Sequence, residues 1–426
     1  MIGVIADDFT GATDVAVAFR RSGARVLLVL DLVRSTSLGP DAADVVVIAR
    51  KTRTLPAAEA VAQTLEALDH LQAAGAGRYF LKYCSTFDSR DEGNIGPVAD
   101  AVSARLRAPR TVFVPSSPEH GRTQVHGHLF VGHDLLSESP MRHHPLTPMT
   151  DSSIPRVLSR QTAHGVGLVD LHAVRSGPAA IRAALEDAAT GGADYVVVDA
   201  TAPSDLEAIG AAVAEDVLVT GAAGLASGLG AALARRRVEA GLPTPDADGD
   251  GAPDPASPGA ALAGSCSART LEQVAVMCSQ HPHHFLDART LADPERLAAE
   301  ALNWFDAQDP QATPLLFSSQ PPEELRRTQE LLGTERASQI LEAAVSLIAR
   351  GLVDRGVQRL VVAGGETSGA VTTALEVASA RIGDEVSTGV PWIFPDDRPG
   401  LALLLKSGNF GGPTLLHDAL HSQETR

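Results

Sequence analysis

Short β-branched runs and Ala/Leu-rich helical stretches take turns along most of the 426-residue chain. The runs Gly3–Ala6, Arg25–Leu30, Val45–Ala49, Tyr79–Tyr83, Thr111–Val114, Val166–Asp170, Tyr195–Asp199 and Val217–Thr220 read as strands, with Ala57–Ala74, Pro178–Thr190 and Leu225–Arg237 as helices between some of them. That alternation predicts an α/β fold with mainly parallel sheets covered by helices on both faces.

One hydrophobic core stops growing beyond about 250–300 residues, so two domains are expected. The break falls at GLPTPDADGDGAPDPASPG (Gly241–Gly259), whose Pro, Gly and Asp give a core nothing to use. Domains are therefore expected at 1–240 and 260–426, joined by a 241–259 linker. Asp246, Asp248, Asp250 and Gly251 imitate a calcium loop, but the twelfth position, which needs a bidentate Glu, is Ser257. Past the linker come strand Ala261–Gly264, helices Thr270–Cys278 and Asp293–Ala307, strand Pro314–Phe317, a long helical region Glu323–Arg355, strand Arg359–Ala363, and a hairpin-like pair at Trp392–Phe394 and Leu401–Lys406.

Charge narrows the partners. With 52 acidic against 35 basic residues the net charge is -17, which repels phosphate backbones, so no nucleic-acid partner is expected. A small anionic substrate needs only a local positive pocket. No apolar run approaches the ~20 residues of a membrane helix, and the N-terminus lacks a basic leader. Cys84, Cys266 and Cys278 are odd in number, with no pair at metal-site spacing, which fits reduced thiols in a cytoplasm.

In open α/β sheets ligands bind beyond the carboxyl ends of strands. In the second domain GGETSG (Gly364, Gly365, Glu366, Thr367, Ser368, Gly369), GSCSART (Gly264 through Thr270, with Ser265 and Ser267) and KSGN (Lys406, Ser407, Gly408, Asn409) sit at three such ends. Glycines let backbone N–H groups approach an anion, and together with Lys406 the turns suit a polyphosphate. Glu366 is a candidate Mg²⁺ ligand, or simply a helix N-terminal acid. No Gly-Lys-Ser/Thr or GxGxxG is present, which disfavours a P-loop and an NAD-dependent dehydrogenase.

In the first domain IADDFTGATD ends a strand at Asp7 and Asp8, with Thr10, Gly11 and Asp14 following. One of the pair is expected to orient or deprotonate a hydroxyl, the other to cap the helix. KYCSTFDS offers Lys82 with Ser85, Thr86 and Asp88. The stretches Pro115–Gly132 and Met141–Ser153 lack periodicity and read as a long loop, in which Arg122 and Arg142 are anion contacts. His126, His128, His143 and His144 have no Cys or HExxH partner and are not expected to hold a metal.

The ordered motifs IADDFTGATD, KYCSTFDS, GHLFVG, HHPLTPMTDS, AGSCSxxT, GGETSGA and KSGNFG resemble the four-carbon acid sugar kinases, from Met1 to about Leu420. GHLFVGHDLLSESPMRHHPLTPMTDSS is most similar to the branch acting on 3-oxo-tetronates, with threonate and erythronate kinases as alternatives. The resemblance implies an ATP- and Mg²⁺-dependent kinase acting on a terminal hydroxyl in an interdomain cleft. The acid sugar would be bound by the first domain (Asp7, Asp8, Thr10, Lys82, Ser85, Thr86, Asp88, Arg122) and the nucleotide by the second (Ser265 or Ser267, Gly364–Thr367, Lys406, Gly408, Asn409). It implies a cytoplasmic enzyme, with a homo-oligomer left open.

Overall fold

The structure, a computed structural model, describes residues 1–35, 43–87, 90, 92–143, 147–241, 251–309 and 311–421. The chain divides into two compact units, Met1–Ala247 and Asp248–Arg426. Residues 242–250 of the expected linker lie outside the described residues, and Gly259, its expected last residue, already opens a strand, Gly259–Ala263.

In the first unit the strands run parallel in the order Val26–Val29, Val45–Ala49, Ile2–Ala6, Arg78–Lys82, Leu218–Gly221, Thr111–Val114, Tyr195–Val198 and Val166–Val169. Ile2–Ala6 and Val45–Ala49 are buried at every residue, because helices cover both faces of a parallel sheet. Register sets the functional edge: Ala6 lies opposite Ala49 on one side and Lys82 on the other. The chain therefore leaves three adjacent strands at the same level. Helices Pro203–Val213 and Ala223–Glu239 cross at glycines: a Cβ on Gly228 would run into the Leu206 carbonyl, and one on Gly210 into the Gly228 backbone.

The stretch expected to be a long loop is partly ordered. Arg122–Val125, His128–Val131 and Asp134–Leu135 form a small antiparallel sheet. Its first turn places His126 at φ 49° and Gly127 at φ 72°, the left-handed pair that a two-residue hairpin requires. Asp199 is fully buried and accepts from Gln124 Nε2 (3.0 Å), His126 N (2.6 Å) and Gly127 N (2.9 Å). The histidines here thus belong to a braced hairpin, while His144 lies outside the described residues.

In the second unit the parallel order is His283–Phe285, Leu315–Phe317, Gly259–Ala263, Arg359–Ala363, Ala402–Lys406. Val390–Pro395 joins Ala402–Lys406 antiparallel, and Ser379–Ser387 pairs antiparallel with Val390–Pro395. The expected hairpin-like pair is therefore present, and Ser379–Ser387 adds to it a strand that the sequence did not announce. The long helical region is two helices, Pro322–Leu332 and Thr334–Asp354, parted at Gly333 with φ 81°. No described helix is long and apolar enough to cross a membrane.

Candidate active site

Asp7 and Asp8 meet a residue that sequence reading passed over. Arg53 clamps Asp7 with two bonds, Nε to Oδ2 at 2.8 Å and Nη2 to Oδ1 at 2.7 Å, and Nη2 also reaches Asp8 Oδ1 at 2.7 Å. Arg53 sits in the turn after Val45–Ala49, which Asn94 Nδ2 fastens through the carbonyls of Thr52 (2.8 Å) and Leu55 (3.0 Å). The signal was KTRTLP at the end of a buried strand, the same kind of position that drew attention to Asp7.

Asp8 takes the capping role. It is the N-cap of helix Phe9–Arg20, its Oδ1 accepting from Gly11 N at 2.9 Å and its Oδ2 from the Thr10 hydroxyl at 2.9 Å. Lys82, 6% exposed, places Nζ 3.8 Å from Asp8 Oδ1. Gly11 makes this possible, since a Cβ there would overlap both Lys82 Nζ and Asp8 Oδ1. Burial pushes the Asp8 carboxyl up, but Arg53, Lys82, Thr10 and the Gly11 N–H outweigh it and hold it below its ordinary value. For Arg53, burial works against the charge, and the two carboxylates more than restore it. Asp14 goes the other way: burial raises its carboxyl, only partly offset by Lys82 and His120. Asp7, Thr52, Lys82, Tyr83, Asn94 and Thr220 are among the residues lining a cavity of about 40 Å³.

The remaining first-unit candidates divide. Thr10 and Thr86 are buried, the first donating to Asp8 and the second 3.0 Å from Cys84 Sγ. Both help to shape the site through these bonds. Ser85 is half-buried in the same turn, and Asp88 lies outside the described residues. Arg122 donates to the His120 carbonyl, while its Nε is buried without a hydrogen-bond partner. Arg142 is exposed and donates to the Ser137 carbonyl at 3.1 Å.

The glycine turns of the second unit follow Gly259–Ala263, Arg359–Ala363 and Ala402–Lys406, which are consecutive neighbours in the sheet, so the structure brings them together. Gly364, at φ 129°, precedes helix Gly365–Ala374, and no side chain caps that helix. Gly365 and Glu366 are exposed in its first turn, leaving backbone N–H groups for an anion. A Cβ on Gly408 would stand 2.6 Å from Ser265 Oγ and 3.0 Å from Ser267 Oγ, so this turn closes on GSCS only as glycine. Ser267 caps helix Ala268–Gln280 and donates to the Gly408 carbonyl at 2.6 Å, which spends its hydroxyl on the fold. Ser265 Oγ accepts from Ser267 N at 3.2 Å and keeps its own hydrogen to give. Asn409 is exposed beside them.

Lys406 departs from expectation. It is fully buried, its Nζ donating to Thr270 Oγ1 (2.8 Å) and to the Gly408 carbonyl (2.9 Å), both neutral oxygens. It is a strut beneath the turn, not a cation presented by it. Burial, with Arg269 adding repulsion, pushes its ammonium down to about 7. Between about pH 7 and 10.5 the unfolded chain then holds a proton that the folded chain lacks, so stability rises with pH across that window. Urea unfolding is expected to give about 2–3 kcal/mol more stability near pH 9 than near pH 6.5, and Lys406→Met is expected to flatten that difference.

Comparison with known proteins fits this division. Residues 2–229 match a family model described as a sugar-binding N-terminal domain, and residues 260–416 one described as a nucleotide-binding C-terminal domain. A 3-oxo-tetronate kinase of Cupriavidus necator is 45% identical over 99% of this chain and 96% of its own length. The enzyme of that name from Salmonella typhimurium is 42% identical over 96% of each. Among solved structures, a Salmonella typhimurium LT2 protein described as a putative tRNA synthase superposes with TM-score 0.86 at 40% identity, and a Haemophilus influenzae DUF1537 protein with 0.76 at 35%, each comparison covering 98% of both chains. The chain belongs to the four-carbon acid sugar kinase family.

Proposed function

We propose that the chain is an ATP-dependent kinase that phosphorylates the terminal (O4) hydroxyl of a four-carbon acid sugar, 3-oxo-tetronate, in cytoplasmic sugar-acid catabolism. The observation that carries this reading is near-full-length similarity to enzymes named for that substrate. The carboxylate–Arg–Lys cluster of one unit and the uncapped glycine turns of the other are consistent with it.

The second unit fits a nucleotide by its chemistry. Backbone N–H groups of the Gly364–Thr367 turn, the Ser265 hydroxyl and the Gly408–Asn409 backbone would hold phosphate oxygens, and exposed Glu366 would share Mg²⁺ with them. ATP supplies the phosphoryl group and Mg²⁺ neutralises its charge; the protein contributes positioning. Lys406 sets the height of the Gly408 turn. Gly408→Ala is expected to raise KM for ATP by about 5- to 150-fold, as overpacking by 1–3 kcal/mol displaces the turn, while KM for the acid stays unchanged.

In the first unit Lys82 and Arg53 supply the positive field for the substrate carboxylate, with Ser85 and Arg122 at its margins. Asp7 and Asp8, both gripped by Arg53, orient the sugar hydroxyls. One of the two takes the proton of the attacking hydroxyl. Transfer requires that hydroxyl to stand in line with the terminal phosphorus.

The test is a coupled ADP-release screen over both threonates, both erythronates and their 2- and 3-oxo forms. Turnover is expected with a 3-oxo-tetronate. Turnover of threonates alone would overturn the substrate and leave the kinase; no ADP from any of them would overturn both.

A further inference from the structure

Three histidines, His281 distant in sequence from His417 and His421, converge at the opposite strand ends of the second unit's sheet from the glycine turns. His281 follows helix Ala268–Gln280 and precedes strand His283–Phe285; Thr313 precedes strand Leu315–Phe317. His417 and His421 sit one turn apart on helix Leu415–His421, the i, i+4 spacing that points two rings the same way. Ring centroids are 5.2 Å apart for His281 and His417, 4.5 Å for His281 and His421, and 4.5 Å for His417 and His421.

Their ring nitrogens are arranged as ligands. His421 Nδ1 lies 2.9 Å from the His417 carbonyl. A carbonyl only accepts, so Nδ1 carries the hydrogen and Nε2 carries a lone pair, 2.8 Å from Thr313 Oγ1. A ring nitrogen of His281 is likewise bonded to the Ala312 backbone, and its Nε2 is 2.9 Å from His417 Nδ1. Backbone carbonyls that fix the outer ring nitrogen and leave the inner one basic are the usual second layer of a histidine metal site. One such nitrogen from each of the three residues lies within 4.8 Å of the others, the single grouping of this kind among the described residues.

We propose that His281, His417 and His421 bind one divalent ion of the zinc class, with a water and the Thr313 hydroxyl completing its surroundings. Zn–N bonds of about 2.0–2.1 Å leave tetrahedral ligand nitrogens about 3.3 Å apart, so small ring rotations close the site. Binding at His417 Nδ1 requires its hydrogen, where present, to pass to Nε2 through solvent; neutral imidazoles release no proton. Lying at the starts of His283–Phe285 and Leu315–Phe317, parallel neighbours of the strands that end in the glycine turns, the ion would be structural, pinning the last described helix to the sheet.

The experiment uses the full chain without a histidine tag, stripped by chelator, titrated with ZnCl₂ by calorimetry and with CoCl₂ by visible absorption. One zinc per chain, a rise in Tm and the visible bands of four-coordinate cobalt are expected. His417→Ala is expected to weaken zinc binding by more than the 10–100-fold that losing a second-layer partner costs, with His283→Ala unchanged; His417→Gln serves if alanine fails to fold. Fewer than one zinc per two chains, no cobalt bands, or a folded His417 variant that binds as the parent does would overturn the site.

Discussion

Asp8→Asn is expected to lower kcat by about 10²–10⁴-fold while the protein still folds. Asn caps a helix as well as Asp does, so the bond from Gly11 N survives and Tm should fall by only a few degrees. What disappears is a charge that faces Lys82 at 3.8 Å and Arg53 at 2.7 Å. Lys82, nearly sealed from water, then loses the carboxylate beside it and is left as a poorly compensated buried charge. Asp8 is held below the ordinary carboxylate value, so its contribution to stability is lost only as pH falls below about 4. A kcat within 5-fold of the parent for Asp8→Asn would remove Asp8 from the site.

Gly228→Ala is expected to destabilise the first unit by about 3 kcal/mol or more, at the upper end of overpacking costs. The added methyl meets the Leu206 carbonyl, and backbone cannot rotate aside as a side chain can. Helices Pro203–Val213 and Ala223–Glu239 would have to part, taking with them the burial of Leu206, Ile209, Leu225 and Leu229. Gly77, with nothing within 4 Å of its Cβ position, is the control: Gly77→Ala should fall within about 0.5 kcal/mol of the parent. Urea denaturation of both decides it; equal midpoints would mean the crossing is looser than described.

Much of the architecture was readable because it rests on local pattern. Ile2–Ala6 and Val45–Ala49 announce themselves as buried strands, and glycines with hydroxyls at three strand ends mark where parallel strands open. What escaped depends on distant partners. Arg53 looked like one more basic loop residue until the sheet set it against carboxylates 45 and 46 positions earlier. Lys406 read as an exposed cation, because nothing nearby in sequence says that Thr270, 136 residues away, would receive its ammonium. Ser379–Ser387 was overlooked for another reason: its register shifts on pairing with Val390–Pro395, which breaks the alternation a strand is recognised by. Asp14 was visible as a residue; its raised carboxyl follows only from burial.

The strut beneath the Gly408 turn has a thermodynamic corollary. A group that titrates near neutrality exists there as a mixture of amine and ammonium. A polyanion settling on the turn favours the ammonium, so occupancy draws a fraction of a proton from solution. Nucleotide affinity would then slacken as the medium turns alkaline, and the heat evolved on binding would vary with the ionisation enthalpy of the buffer.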